Sequence, residues 1–357
     1  MHSVLDDHPA FAAAIRRLFS AGVTAGKAAD LMVRAASETK SIPLNKLDVW
    51  ERTIRAELRI AERGTSEASW KFWVRPVRFT SWLDLCSHDG RKREAALRVT
   101  SGGAPSAFIL ALALRRLNDW VPQVRSAARE VLPALASNSV PQDVANVVWS
   151  LLVHWRTWGR MEPSDRDAVV AIASIEPVSL ALRLKIMDTT AGPAALVLSQ
   201  CARSATFNSW IQDFAQGAVQ PAVRAQAFRW LFHGRTTWVV GHKWRWTDLA
   251  YCKGKLEPIL ESRGIPKKQP FMKTLEEAMA DRSPMVRRVA AEFLIRELPS
   301  LGENASPLAK RTASDTNPSV AERGHFALKQ LNQESLATPK SAAEKWEQIS
   351  TSHIYPK

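Results

Sequence analysis

The sequence predicts an all-α fold, an α-solenoid of paired helices, and three observations carry that reading. One motif recurs along the chain: Asp, two residues, Pro, one residue, Val, then small and apolar residues at helical spacing. An apolar helical segment precedes each clear copy, as a helix-turn-helix unit requires. The chain has 357 residues, too many for one compact core, and 46% are apolar, which argues against disorder.

Taken in order, residues 1–79 lack the motif and read as an N-terminal helical cap and connector. A terminal unit of this kind must shield its neighbour's apolar face. Asp7-His8-Pro9 starts one helix, Thr24 caps a second, and Ser41 caps a third that runs to Gly64. The repeat array spans residues 80–331, with about seven units of ordinary repeat size. Trp82–Cys86 leads into RKREAALRV, and Ser106–Leu117 leads into DWVPQVRSAAREVLPAL at 119–135. Val144–Trp155 leads into PSDRDAVVAIA, where Pro163, Arg166 and Ala168 echo the motif; Val178–Met187 leads into PAALVLSQCA. Trp210–Phe214 precedes AVQPAVRAQAFRWLF at 218–232, which has Ala218 where Asp would stand. Phe271–Met279 precedes DRSPMVRRVAAEFLIREL at 281–298. The copy at 315–331 is degenerate, with Ala321 in place of the arginine and Gly324 in place of the alanine. Residues 332–357 are a polar tail or one closing helix around Trp346.

The motif has a physical basis. Proline in the first helical turn loses no needed N–H and already has the right φ. Asp three residues earlier sits at the turn and accepts from exposed backbone amides. Asp119, Pro122, Val124, Arg125 and Ala128 resemble the second helix of a HEAT repeat, as do Asp281, Pro284, Val286, Arg287 and Ala290. The resemblance is to the HEAT-repeat, armadillo-like family, with no subfamily identified. It implies that Arg125, Arg224 and Arg287 join a ladder with the aspartates.

An insertion at 234–268 interrupts the array, and loops of that length are uncommon in compact proteins unless functional. Its core, TTWVVGHKWRW at 236–246, suggests a small β-hairpin turning at Gly241-His242. Trp244 and Trp246 would then pack on the helices, leaving Trp238 exposed beside Arg245. A second aromatic and basic stretch, SWKFWVRPVRFTSW, lies at 69–82. The net charge of +14 is concentrated around these two stretches: 52–98 has a surplus of five positive charges and 232–273 of six. A field focused in this way attracts acidic partners. The candidate binding residues are Trp238, His242, Lys243, Arg245, Lys253 and Lys255, with Lys71, Arg75 and Arg78 from the earlier stretch.

Catalytic signatures are missing from the sequence. Gly102-Gly103 has no lysine after it, so no phosphate loop forms. His233, His242 and Cys252 have irregular spacing for zinc, and Cys86-Ser87-His88 has no orienting third group. No catalytic residue, metal or cofactor is expected. Three odd, scattered cysteines and no signal peptide point to a cytoplasmic protein, and no apolar run is long enough for a membrane. The function expected is a non-enzymatic scaffold or adaptor that binds a protein partner on a curved surface. The alternative is a nucleic-acid-binding HEAT-like protein using residues 66–82 and 234–268. Its enzymatic form would resemble the alkylpurine DNA glycosylases in architecture, with Asp119 or Asp248 as the candidate acid. The sequence does not specify an oligomeric state.

Overall fold

The computed structural model describes residues 9–18, 25–67, 81–100, 102–266 and 269–333. These residues are mostly helical, with one two-stranded sheet. The helices are α1 (Pro9–Leu18), α2 (Ala25–Glu38), α3 (Leu47–Glu67), α4 (Gly90–Val99), α5 (Ala107–Leu114), α6 (Pro122–Ser137), α7 (Pro141–His154) and α8 (Pro163–Ala173). They continue with α9 (Glu176–Asp188), α10 (Ala194–Cys201), α11 (Ile211–Gly217), α12 (Pro221–His233), α13 (Phe271–Met279), α14 (Pro284–Glu297), α15 (Ala305–Ala313) and α16 over 318–333. The strands β1 (Arg235–Asp248) and β2 (Lys253–Gly264) lie between α12 and α13. No described helix is long and apolar enough to cross a membrane.

The motif prolines stand where the sequence places them: Pro122, Pro163, Pro221 and Pro284 each open a helix. The third N-terminal helix is the exception. It begins at Leu47 rather than next to Ser41, because two short 3₁₀ turns at Thr39–Ser41 and Leu44–Lys46, separated by Pro43, come first. Proline disfavours helical backbone in the residue before it, so a helix cannot run through Ile42.

The chain divides into two compact units. One comprises Met1–Ile186, Leu196–Asn208 and Trp238–Glu261; the other comprises Met187–Ala195, Ser209–Thr237 and Ser262–Lys357. In the first, α4 packs on α6 and α6 on α8, while α5 packs on α7. Its N-terminal end is sealed by aromatic rings: Phe11 meets Trp50, Trp82 and Phe108, with centroids 5.7, 6.3 and 6.5 Å away. In the second unit, α11 packs on α12, α12 on α14 and α13 on α14.

In four helices, α4, α6, α12 and α14, an arginine clamps the chain just ahead of a later helix. Arg93 of α4 holds Asp119 through two hydrogen bonds of 2.8 and 2.7 Å. Arg125 of α6 reaches Glu162 at 2.6 Å and lies 3.6 Å from Asp165. In the second unit Arg224 holds Asp281 at 2.8 Å twice, and Arg287 holds Asp315 at 2.6 and 2.9 Å. Each of these arginines also donates to a carbonyl six residues earlier: Ser87, Asp119, Ala218 and Asp281. The acceptor aspartates are fixed in turn, since Asp119, Asp281 and Asp315 each accept from the backbone N–H two residues on. Gly324, where the motif has alanine, has its own cause. A Cβ there would lie 2.1 Å from the Ala313 nitrogen, so α16 approaches the end of α15 at a distance only glycine allows.

The hairpin departs from the sequence reading. The chain does not turn at Gly241-His242; β1 runs straight through both residues, and the turn falls at 249–252. Side chains alternate along one uninterrupted strand, so Thr236 and Trp238 share a parity and both are buried. Trp244 and Trp246, of the same parity, lie farther out and are 51% and 52% exposed. The expected burial is therefore reversed: Trp238 is the packed tryptophan, at 8% exposure. Arg245 does not accompany Trp238 but pairs with Glu257 at 3.2 Å.

Candidate binding site on the hairpin and at its root

The outer hairpin exposes Trp244, Trp246, Leu249, Tyr251, Leu256, Ile259 and Leu260. The Trp244 and Trp246 rings meet edge to face, with centroids 5.6 Å apart. Such pairs add about 0.5–1.5 kcal/mol beyond the area they bury. The Trp244 ring lies across Gly254 of β2, where an added Cβ would come within 2.5 Å of it. The residue beneath this ring must therefore lack a side chain.

The hairpin's positive charges are partly neutralised. Glu257 accepts from Arg245 and sits 3.3 Å from Lys255, and those cations outweigh burial to hold its carboxyl below the usual range. Lys253 lies over the Tyr251 ring at 5.5 Å. Lys243 is exposed. Asp248 accepts the Tyr251 N–H at 3.2 Å and so shapes the turn. Cys252 in that turn has φ of 50°, a left-handed conformation uncommon outside glycine.

At its root the hairpin meets helices of the same unit. The 3₁₀ turn Trp155–Thr157, which follows α7, together with α8, α10 and β1, surrounds a cavity of ≈ 520 Å³. Its walls include Trp155, Arg156, Arg166, Gln200, Arg203, Val239 and His242. Arg203 lies over two indoles, 5.3 Å from Trp155 and 5.8 Å from Trp238. The Trp238 indole N–H donates to Glu261 at 3.0 Å, and Glu261 stands 3.9 Å from Arg203. Burial lowers the pKa of Arg203 below the ordinary arginine value, against the pull of Glu261 and Asp167. The Arg156 guanidinium sits 2.8 Å from Nε2 and 2.9 Å from Nδ1 of His242. A guanidinium only donates, so the imidazole accepts through its unprotonated nitrogen.

Of the residues expected at a site, Trp238 packs under Arg203 and His242 lines the cavity at the root, while Lys243, Arg245, Lys253 and Lys255 lie along the outer hairpin. Lys71, Arg75 and Arg78 lie outside the described residues. Arg156, Arg166, Gln200 and Arg203 are added by the structure. Arg166 had a usable signal: it stands three residues after Pro163, as Arg125, Arg224 and Arg287 follow Pro122, Pro221 and Pro284. Asp119 is committed elsewhere, its two oxygens taken by Arg93, Arg116 and the Val121 amide. No group of three or more His, Cys, Asp or Glu among the described residues is placed to hold a metal. Neither protein-family models, curated proteins nor solved structures match this chain.

Proposed function

We propose that the chain is a non-enzymatic, HEAT-like adaptor that grips a protein partner with the outer hairpin. One observation carries the reading: Trp244 and Trp246 stand half exposed on a ribbon whose Arg245 and Lys255 are already matched by Glu257. Exposed aromatic surface of this kind marks protein interaction sites, and tryptophan is enriched among residues that dominate interfaces. A strand that bound nucleic acid through its phosphates would instead leave its cations unmatched. The Arg–Asp clamps support the repeat reading because the same contacts recur from one second helix to the next. The commitments of Asp119 and Asp248 to backbone and arginine support a binding role over base excision.

The test is affinity capture from the native host with wild-type chain and a Trp244→Ala/Trp246→Ala variant, each with and without nuclease. The expected result is a defined protein, retained at high salt and after nuclease, that the double variant does not retain. Capture that disappears with nuclease, or that the double variant retains in full, overturns the reading.

A further inference from the structure

Residues that line the cavity at the hairpin's root carry polar groups that the fold leaves unmatched. Gln200 is only 1% exposed, and its Nε2 donates to the Val239 carbonyl at 3.4 Å. Its Oε1 is buried with no hydrogen-bond partner, and so is Nη1 of Arg203. A buried donor or acceptor without a partner costs roughly 1–3 kcal/mol, so two in one cavity wall call for an occupant. Arg166 adds a third. In α4, α6, α12 and α14 the equivalent arginine is clamped to a carboxylate. In α8 it lines the cavity, and among the described residues no ion pair or side-chain hydrogen bond holds it. Arg156 likewise has no carboxylate partner among the described residues; its guanidinium meets the His242 ring.

From these groups we infer that the cavity binds a phosphorylated small molecule with an N–H donor and a flat ring, of mononucleotide size. Arg156, Arg166 and Arg203 would take the phosphate; arginine's planar fork suits its oxygens. Gln200 Oε1 would accept the N–H. The exposed His242 imidazole offers a flat surface for a ring. The volume of ≈ 520 Å³ falls within the usual small-molecule range. The inference is independent of the adaptor reading, since none of these residues belongs to the outer hairpin. The same chemistry could come from a free nucleotide or from one nucleotide of a strand.

The experiment is calorimetric titration of the full chain at low salt with adenosine and guanosine 5′-monophosphates, inorganic phosphate and a short single-stranded oligonucleotide. Saturable binding of at least one monophosphate is expected. Arg156→Ala and Arg166→Met should each weaken it about tenfold, the scale of one charge-assisted hydrogen bond. Both positions are at least partly exposed, so the variants should fold; circular dichroism checks this. Gln200→Leu should weaken the monophosphates but leave inorganic phosphate unchanged. Trp244→Ala/Trp246→Ala should leave all of these affinities intact, which separates failure here from failure of the adaptor reading. Tighter oligonucleotide binding, steeply salt-dependent and also lost in Arg166→Met, would identify the strand as the source. No saturable binding by any probe, or binding indifferent to both arginine variants, overturns the inference.

Discussion

At the scale of single residues, the arginine clamps differ mainly in burial. The side chains of Arg93 and Asp119 are each 1% exposed, Arg224 and Asp281 are 2% and 9%, and Arg287 and Asp315 are 17% and 11%. Removing one member of a buried pair leaves an uncompensated charge, at a cost of about 3–5 kcal/mol. Asp119→Asn and Asp281→Asn should approach that loss, and Asp315→Asn should cost clearly less, as read from urea unfolding midpoints. A second expectation concerns acid. Burial alone would raise Glu51, but Arg116, Arg115 and Arg55 together hold it below its ordinary 4.5. Asp119, likewise buried, is held below 3.8 by Arg93, the Val121 amide and Arg116. A lowered folded-state value stabilises above the unfolded value and ceases to do so as pH falls through the folded one. Stability should therefore decline progressively below about pH 4.5, and Glu51→Gln should flatten that decline in urea titrations run at successive pH values. The aspartate and proline of three clamps, Asp119 with Pro122, Asp281 with Pro284 and Asp315 with Pro318, were legible in the sequence because each pair sits within one short motif, whereas Glu162 of the fourth does not. Arg93 was not legible, because Gly90 stands where its helix would have shown proline.

At the scale of elements, the hairpin separates buried from free tryptophan along one strand. Trp238→Ala should cost about 3–5 kcal/mol, as for other large buried side chains. Trp246→Ala should stay within roughly 0.5 kcal/mol, as surface changes do. Thermal unfolding of the two variants checks the contrast, and equal losses would contradict the burial pattern. Gly254→Val should push the Trp244 ring off β2 and abolish the far-ultraviolet exciton signal of the Trp244–Trp246 pair. The insertion's strand character was legible from its aromatic and β-branched residues, but its turn was not. Gly241-His242 has the local chemistry of a tight turn, whereas Leu249-Ala250-Tyr251-Cys252 has little. Pro258 within β2 further disguised the partner strand; a two-stranded ribbon tolerates proline because each strand is an edge. The cavity was less legible still. Arg156, Arg166, Gln200, Arg203 and His242 come from well-separated segments, and each has an ordinary local reading as a surface or core residue.

At the scale of the molecule, the three thiols test burial in both interior and hairpin. Burial pushes Cys86 up to about 12 and raises Cys201 as well, while Cys252 is exposed in the hairpin turn. One thiol should react with an aromatic disulfide reagent in the native protein, and all three after unfolding. The overall positive charge was legible in the sequence, but its disposition was not. Arg93, Arg116 and Arg224 are interior groups matched by carboxylates, whereas Arg156 and Arg166 are not paired with carboxylates among the described residues. The clamps also determine where the polypeptide tolerates being cut. A version ending just after α12 keeps Arg224 and discards Asp281; one ending just after α14 keeps Arg287 and discards Asp315. Either leaves a guanidinium stranded without its counter-ion. Sound termini lie one turn beyond the next acceptor aspartate, not at the end of the last whole helix.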